Sequence, residues 1–314
     1  MTNLIYILHQ TKLLSKRDGR GKFYMDIAKY KTWIALALFV LLLIVVSVGY
    51  YQSLGIINPK AGNVSFVLLL VLLFAGYYFI GKARGGKPIP VRKIAAFDAI
   101  EEGIARAVEM GKTVHFTLGY GPISTVNAPQ YLAGLGVLGH VARLCAKYGA
   151  QLVSTLGVPE LIAAEEEIIR DAYYSGGKPE LYNVTYNVRY LTDQQFAYAS
   201  AVQATIQREN AGANIVVGPF WAESLIFMEA GAAIEAFQVA GTARETQIPF
   251  FVLAADYAFI GEEIFAAGAM ASGDVETLAS IRGQDIGKLL SWILIVVGLI
   301  LLPMGVKLAE YLVK

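Results

Sequence analysis

The sequence predicts an α/β protein, with a mainly parallel sheet and flanking helices in a cytoplasmic domain, joined to three transmembrane α-helices, two N-terminal and one C-terminal. Three observations predict it. The 314 residues are 56% apolar and only 16% charged, whereas soluble domains are about a quarter charged. Three uncharged runs are long enough to cross a bilayer, for which about 20 apolar residues are needed. Between the second and third runs, short β-rich segments alternate with amphipathic segments, as in a parallel sheet.

The predicted spans are residues 33–51, 64–80 and 289–306. Each carries tryptophan or tyrosine near one end, as expected where aromatic rings settle among lipid headgroups. The first span does not read as a cleavable signal peptide, because 32 residues precede it and no small-residue cleavage site follows. The other predicted divisions are a basic N-terminal segment at 1–32, an α/β domain at 88–288 and a short tail at 307–314.

The placement of lysine and arginine predicts the orientation of the spans. Basic residues are abundant before the first span and at 82–93, whereas the loop at 52–63 contains only Lys60. Because basic flanks stay in the cytoplasm, the N-terminus and the α/β domain are predicted to be cytoplasmic and the C-terminus outside. Residues 3–14, followed by a basic stretch, predict either a helix lying in the lipid interface or a disordered basic tail.

Within the α/β domain, apolar periodicity together with glycine and proline predicts the elements in order. Helices are expected at 94–110, 128–148, 159–174, 193–210 and 222–239, with a last helical region at 261–271. Strands are expected at 113–119, 151–157, 214–218 and 249–255, and residues 182–190 alternate like a half-buried edge strand. The first three strands each end in glycine followed by proline and a helix, so their loops are predicted to share one rim of the sheet.

This rim is where α/β folds tend to bind ligands. The candidate ligand pocket there comprises Tyr120, Ser124, Trp221, Glu223 and Asp256. Two acids on one rim are suited to general acid and base chemistry. The alternative for both is a cap, since an acid in the first turn of a helix commonly offsets the helix dipole.

No sequence motif points to a cofactor or a metal. The segment GYGPIS at 119–124 does not meet the GxGxxG fingerprint, and no GxxxxGK[ST] loop is present. His9, His115, His140 and the single cysteine, Cys145, lack metal-ligand spacing. No cofactor, no metal and no catalytic residue is therefore expected, and enzymatic activity is not favoured.

The α/β domain is poor in charge even without the spans. Lys112 and Arg143 bracket 30 uncharged residues, and small residues dominate 229–243. Small residues let helices approach closely, against a sheet or against a neighbouring subunit. The sequence predicts contact with other copies, and the alternative is one unusually apolar monomeric domain. The candidate oligomer interface comprises Tyr131, Leu135, Leu138, Ile226, Phe227, Ile234 and Phe237.

The segments GYGPISTVNAPQYLAGLG (119–136) and VGPFWAESLIFMEAGA (217–232), between two N-terminal spans and a C-terminal span, carry a family resemblance. The chain resembles an uncharacterised family of prokaryotic membrane proteins of unknown function. This resemblance implies no activity and no catalytic residue.

Two functions remain as expectations. The first is a membrane-anchored structural or scaffolding protein that forms a homo-oligomer, with the lipid bilayer, other copies and other membrane proteins as partners. The second is a membrane-tethered small-molecule-binding or enzymatic module with a pocket at the rim. Residues 88–288 carry 13 basic and 22 acidic side chains, a net charge of −9, which argues against nucleic acid as a partner. A transport pathway within one copy is not expected, because the spans contain no ionisable residue apart from tyrosines near their ends.

Overall fold

The computed structural model describes residues 15–17, 23–25, 63–85, 93–123 and 126–304. The predicted first span, the predicted interfacial segment at 3–14, Ser124 and the C-terminal tail lie outside the described residues. The chain divides into two units, one of residues 1–75 and 286–314 and the other of residues 76–285.

The described helices are α1 (Asn63–Arg84), α2 (Ala95–Glu109), α3 (Ala128–Tyr148), α4 (Ile162–Ser175), α5 (Val184–Asn187), α6 (Gln195–Arg208), α7 (Glu223–Ala233), α8 (Ile248–Ala254), α9 (Glu263–Ser272) and α10 (Val275–Leu301). The described strands are β1 (Ser15–Arg17), β2 (Phe23–Met25), β3 (Val114–Tyr120), β4 (Leu152–Gly157), β5 (Val188–Tyr190), β6 (Ala213–Val217), β7 (Phe237–Thr242) and β8 (Tyr257–Ile260). Strands β1 and β2 form a separate antiparallel pair.

The other six strands form one sheet in the order β5-β4-β3-β6-β7-β8. Every neighbouring pair is parallel, which confirms the prediction of a parallel sheet with flanking helices. Counted within this sheet, the strand order is 3-2-1-4-5-6, as in doubly wound dinucleotide-binding folds. The order reverses between β3 and β6, so the carboxyl ends of these two strands flank the point at which such sheets bind ligands.

Apolar cores cover both faces of the sheet. Helices α2, α3, α4 and α9 pack on one face, against residues such as Phe116, Leu118 and Ile215. Helices α6, α7 and α8 pack on the other face, where Val216, Phe220 and others are buried. The strands of a parallel sheet covered on both faces are buried on both sides, and β4, β6 and β7 are buried throughout.

The end of the sheet differs from the prediction. Of the residues predicted as a strand at 249–255, 249–254 form most of helix α8, and the last strand is β8. Pro249 lies in the first turn of α8, where a missing N–H is tolerated. The helix predicted at 222–239 ends at Ala233, Glu235 adopts a positive φ of 57°, and β7 follows as a strand that the sequence did not predict.

The predicted edge strand at 182–190 is only partly formed. Residues 184–187 form the helical turn α5, and only the last three residues form β5, which does lie at a sheet edge. The Asn183 side chain accepts from the Thr185 N–H at 3.1 Å, and the Asn187 side chain accepts from the Asn183 N–H at 2.6 Å. Such local side-chain bonds compete with the strand ladder and explain the shorter strand.

Small residues in α3 and α7 serve contacts within the domain. A β-carbon on Gly136 would lie 2.8 Å from the carbonyl oxygen of Gly268 in α9, and one on Gly134 would overlap the Leu118 side chain. In α7, a β-carbon on Gly231 would overlap the side-chain oxygen of Gln238. Close packing against the chain's own elements therefore accounts for the low charge of both helices.

One described helix, α10, is long and apolar enough to cross a bilayer on the grounds of length and composition. It runs without a break from Val275, so the predicted boundary at 288 falls inside a helix. The apolar side chains of its second half are exposed, for example Trp292 and Leu299. The second predicted span lies within α1, whose last turn carries Lys82 and Arg84.

Candidate ligand-binding site

Two loops meet at the carboxyl ends of β3 and β6. Gly119 and Gly121, at the end of β3, have φ values of 90° and 114°, which glycine adopts readily. A β-carbon on Gly119 would lie 2.8 Å from the Pro219 carbonyl oxygen, and one on Gly121 would lie 2.8 Å from the Trp221 ring. The two glycines therefore let the loops touch each other.

Residues 119–124 lie at the end of β3, which is the first strand of the sheet in chain order. Dinucleotide-binding folds carry their glycine fingerprint at the same place, after their first strand. In that motif the glycines open directly into a helix, whereas α3 begins only at Ala128. The loop after β6 also lies against the glycines. The geometry thus differs from a dinucleotide site although the strand order is shared.

Arg244, in the loop after β7, is the basic residue of this edge. Its guanidinium carbon lies 3.8 Å from the centroid of the Trp221 ring, a cation–π contact, and its Nη2 donates to Asn127 Oδ1 at 3.0 Å. The Nε atom is buried and has no hydrogen-bond partner within the described part of the chain. Arg244 carries no local sequence signal for this site, because it follows β7, a strand that the sequence did not predict.

Glu223 is fully buried at the start of α7. Its Oε1 accepts from the Trp221 N–H at 3.0 Å and its Oε2 accepts from the Gln195 side chain at 2.7 Å. The carboxylate closes the turn ahead of the helix, where the helix dipole favours negative charge. Glu223 thus stabilises the turn before α7, a structural role, although the N-cap residue Ala222 has no side-chain cap.

Aromatic side chains complete this edge of the sheet. The half-buried Tyr120 ring lies 5.9 Å from Trp221 and 6.4 Å from Tyr198, measured between ring centroids. The Tyr131 hydroxyl donates to the Gly121 carbonyl oxygen at 2.8 Å. Burial, together with the charge of Glu223, raises the pKa of Tyr131, so its hydroxyl stays a donor. We name Tyr120, Asn127, Trp221, Glu223 and Arg244 the switch-point cluster.

Asp256 lies at the opposite end of the sheet from this cluster. Its Oδ2 accepts from the backbone N–H of Gln238 at 2.7 Å, at the amino end of β7. Gln238 pairs with Asn214 at the start of β6, whereas Glu223 follows the end of β6. The length of the strand, which rises about 3.3 Å per residue, therefore separates the two acids. The prediction that Asp256 shares a rim with Glu223 is wrong, because the last strand begins after Asp256 instead of ending before it.

The candidate oligomer interface is mostly internal. Tyr131, Leu138 and Phe227 are fully buried, and Phe237 is 9% exposed. These four residues contact the domain's own core and do not form a surface for another copy, so this part of the prediction is corrected. Periodicity marks a buried face but does not say which element covers it. The remaining three residues, Leu135, Ile226 and Ile234, are half-buried.

A polar ladder crosses the sheet beneath α7, through buried side chains on four adjacent strands. Thr155 donates to His115 Nε2 at 2.9 Å, His115 Nδ1 donates to Asn214 Oδ1 at 2.8 Å, and Asn214 Nδ2 donates to Gln238 Oε1 at 3.0 Å. Gln238 Nε2 in turn donates to the Met228 carbonyl oxygen in α7. Burial lowers the pKa of His115 to about 4, so the imidazole is neutral. The ladder is a structural network.

Two other features of the domain are weaker candidates for a site. A groove of about 270 Å³ lies between α3, α4 and α9, but its Arg143 is exposed and already donates to the Ala271 carbonyl oxygen at the end of α9. Within the described residues, no group of three histidine, cysteine or acidic side chains is placed to hold a metal ion. The switch-point cluster remains the best candidate site.

The fold and the site define a doubly wound α/β domain with an aromatic and arginine cluster at its strand-order reversal. A family model described as a domain of unknown function (DUF6754) matches residues 57–313. Because the match covers well over half of the chain, the protein belongs to this family, and the predicted resemblance to an uncharacterised family is confirmed. Searches of curated proteins and of solved structures find no significant match.

Proposed function

We propose that this protein is a membrane-anchored α/β module that binds a small ligand at the switch-point cluster. The observation that carries the proposal is the stacking of Arg244 on Trp221 where β3 and β6 diverge. Ligand sites in open α/β sheets lie at this position, and they combine aromatic walls with a few convergent polar groups. Tyr120, Trp221 and Arg244 are each half-buried, so a ligand can reach them.

Binding is favoured over catalysis. Both oxygens of Glu223 accept hydrogen bonds from the chain itself, and Asp256 lies at the far end of the sheet. A general base must be within reach of a proton on the substrate. No carboxylate of the switch-point cluster is left uncommitted for that work.

The anchor in this proposal consists of three spans with the α/β domain on the cytoplasmic side. Two contacts between α1 and α10 support this proposal. A β-carbon on Gly287 would lie 2.7 Å from the Leu72 side chain, and Arg84 forms an ion pair of 2.7 Å with Glu276. The charged ends of the two helices therefore coincide, and basic residues at such ends favour the cytoplasmic face.

Intrinsic fluorescence tests the proposed binding site. The chain has three tryptophans, so replacing Trp33 and Trp292 with phenylalanine leaves Trp221 as the single reporter. We expect members of a chemically varied panel of neutral and charged small molecules to change its emission saturably and to raise the Tm. If no compound does either, the proposed function is wrong.

Self-assembly is the second candidate function, and the outer edge of the sheet favours it. β8 is an edge strand, and Leu253, Val252 and Ile260 are 83%, 52% and 52% exposed. Edge strands carry unpaired backbone groups that accept another strand. From 246 to 261 only Asp256 is charged. We propose a second copy of this chain as the occupant, with β8 pairing to β8 about a two-fold axis.

Mass photometry of the full chain in detergent tests this assembly. We expect dimers that dissociate in Leu253→Lys and Ile260→Lys, because a lysine at an edge strand opposes pairing. Leu132→Lys is the matched control, since Leu132 is 65% exposed on a different helix. A native chain that is monomeric, or a Leu132→Lys chain that also loses the dimer, contradicts the proposal.

A further inference from the structure

We infer that the ligand of the switch-point cluster carries an oxyanion, a carboxylate or a phosphate, and that Arg244 is the residue that holds it. This inference rests on the proposed function and specifies the chemistry of the ligand. Three observations support it. Trp221 and Asn127 hold the guanidinium in position, most of its N–H groups have no partner among the described residues, and the nearby Glu223 carboxylate is bonded to other groups.

Two neighbours hold the guanidinium of Arg244 in position. Trp221 covers one face at 3.8 Å, and Asn127, which is 5% exposed, fixes one edge through a 3.0 Å hydrogen bond. A planar guanidinium stacked in this way presents its remaining N–H groups in one plane, which matches the geometry of a carboxylate or a phosphate. The positive charge is thus oriented before any ligand arrives.

The donors of Arg244 are largely unused by the described chain. A guanidinium has five N–H groups, and the one side-chain hydrogen bond found for it goes to Asn127. Its Nε is buried without a partner among the described residues, and leaving a buried donor unpaired is unfavourable. An oxyanion would supply the acceptors that this group lacks.

The nearby carboxylate does not take the place of such a ligand. Glu223 is bound by the Trp221 N–H and by Gln195, and within the described residues Arg244 forms no ion pair with it or with another acid. The charges of Glu223 and Arg244 shift the pKa of Tyr131 in opposite directions, so both act on the same hydroxyl. Glu223 partly offsets the charge of Arg244 from inside the fold, but no hydrogen bond between the two side chains is found among the described residues.

The test uses the full chain with Trp221 as its only tryptophan, in discs of neutral phosphatidylcholine. Inorganic phosphate and acetate are titrated against the neutral analogue acetamide. We expect saturable changes in emission with both anions and none with acetamide. Discs that contain phosphatidic acid distinguish the sources, since a lipid headgroup at the site would reduce the response to free phosphate and a soluble ligand would leave it unchanged.

Variants assign the anion to Arg244. We expect Arg244→Gln to weaken phosphate binding at least about tenfold, as the loss of a charge-assisted hydrogen bond predicts. Arg244→Lys should have an intermediate effect, because the lysine ammonium keeps the charge but lacks the paired N–H groups of a guanidinium. Arg106→Gln is the matched control, since Arg106, in α2 and outside the switch-point cluster, also lies over an aromatic ring, that of Phe237 at 4.9 Å. This control should bind phosphate like the parent.

The outcomes separate the two proposals. If neutral compounds of the panel change the Trp221 emission but phosphate and acetate do not, the oxyanion inference is overturned and the binding function stands. Equal phosphate affinity in Arg244→Gln and the parent also overturns it. If no compound of any charge is bound, the function itself fails. Should Arg244→Gln not fold, the comparison of acetate with acetamide on the parent chain still decides.

Discussion

The α-carbon of Gly136 in α3 faces the backbone of Gly268 in α9, so closely that a β-carbon on Gly136 would lie 2.8 Å from the Gly268 carbonyl oxygen. The other helix is approached as closely one turn away, since a β-carbon on Gly268 would lie 2.7 Å from the α-carbon of Ala133 in α3. Backbone atoms cannot rotate away as a side chain does. This crossing therefore needs glycine on both helices.

The crossing predicts opposite outcomes for two glycines of one helix. Gly136→Ala should destabilise the domain by about 1–3 kcal/mol, because overpacking a tight contact forces the helices apart. Gly139→Ala should stabilise it by up to about 1 kcal/mol, because alanine favours the helix and its β-carbon would meet only side-chain atoms, at 3.4 Å and beyond. Thermal unfolding of the two variants measures this, and two shifts of the same sign would contradict the packing described.

The His115 side chain predicts a loss of stability in acid. Burial lowers its pKa from 6.5 to about 4, so between these values the unfolded chain binds a proton that the folded chain does not. The stabilisation is present above pH 6.5 and is lost as the pH falls toward 4, by about 3 kcal/mol in total. His115→Gln should abolish this dependence. A variant that keeps the full acid dependence would show that His115 is not its source.

Glu165 predicts the opposite dependence. Its Oε2 accepts from Ser154 at 2.6 Å, its Oε1 has no partner among the described residues, and burial raises its pKa from 4.5 to about 7. The folded chain keeps a proton that the unfolded chain releases, so this stabilisation is full below pH 4.5 and is lost as the pH rises through 7.

Replacing Glu165 isolates this contribution from that of His115. Between pH 4.5 and pH 8, the unfolding free energy of Glu165→Gln should rise relative to the parent by about 3 kcal/mol. Glu167→Gln, an exposed neighbour on the same helix, is the control and should show no such change. The Tm of the detergent-solubilised chains at several pH values is the measurement. A constant Tm difference between Glu165→Gln and the parent would contradict the assignment.

The proposed orientation predicts a labelling pattern. Cys145 is the single cysteine and is buried, so a Cys145→Ala chain accepts one reporter cysteine. Glu180→Cys, at an exposed position of the α/β domain, should react with a membrane-impermeant maleimide only after cells are permeabilised. Ser53→Cys, in the loop predicted to lie outside, should react in intact cells. The reverse pattern would show that the positive-inside argument assigns the wrong side.

The sequence predicted best where the evidence was local. Helix α3 has the bounds 128–148 that the sequence predicted, and β3, β4 and β6 lie within one residue of their predicted ends. It failed at 249–255, where a short apolar run is compatible with a strand or with a buried helix. That single error also moved Asp256 to the wrong end of the sheet.

The candidate site was found in part. Tyr120, Trp221 and Glu223 follow strands that the sequence identified, and the structure brings them together. Arg244 was missed because the sequence of β7 contains small residues and extends the helical pattern of α7, so no strand was predicted there. In the structure, the positive φ of Glu235 ends the helix before β7 begins. Asn127 precedes a helix and has no sequence signal for contact with an arginine 117 positions away.

By itself, the sequence determined the class of the protein, an α/β domain with a parallel sheet and an apolar C-terminal helix, because hydrophobic periodicity and length are local properties. Only the tertiary structure decided which apolar surfaces are covered by the chain itself and which are exposed. Much of the charge-poor surface of α3 and α7 is covered by the chain itself, and the exposed apolar residues of the α/β domain include Leu253 in α8 and Ile260 in β8. The physical reason is that an apolar pattern records the burial of a side chain, whereas the identity of its neighbour depends on contacts between residues far apart in the chain.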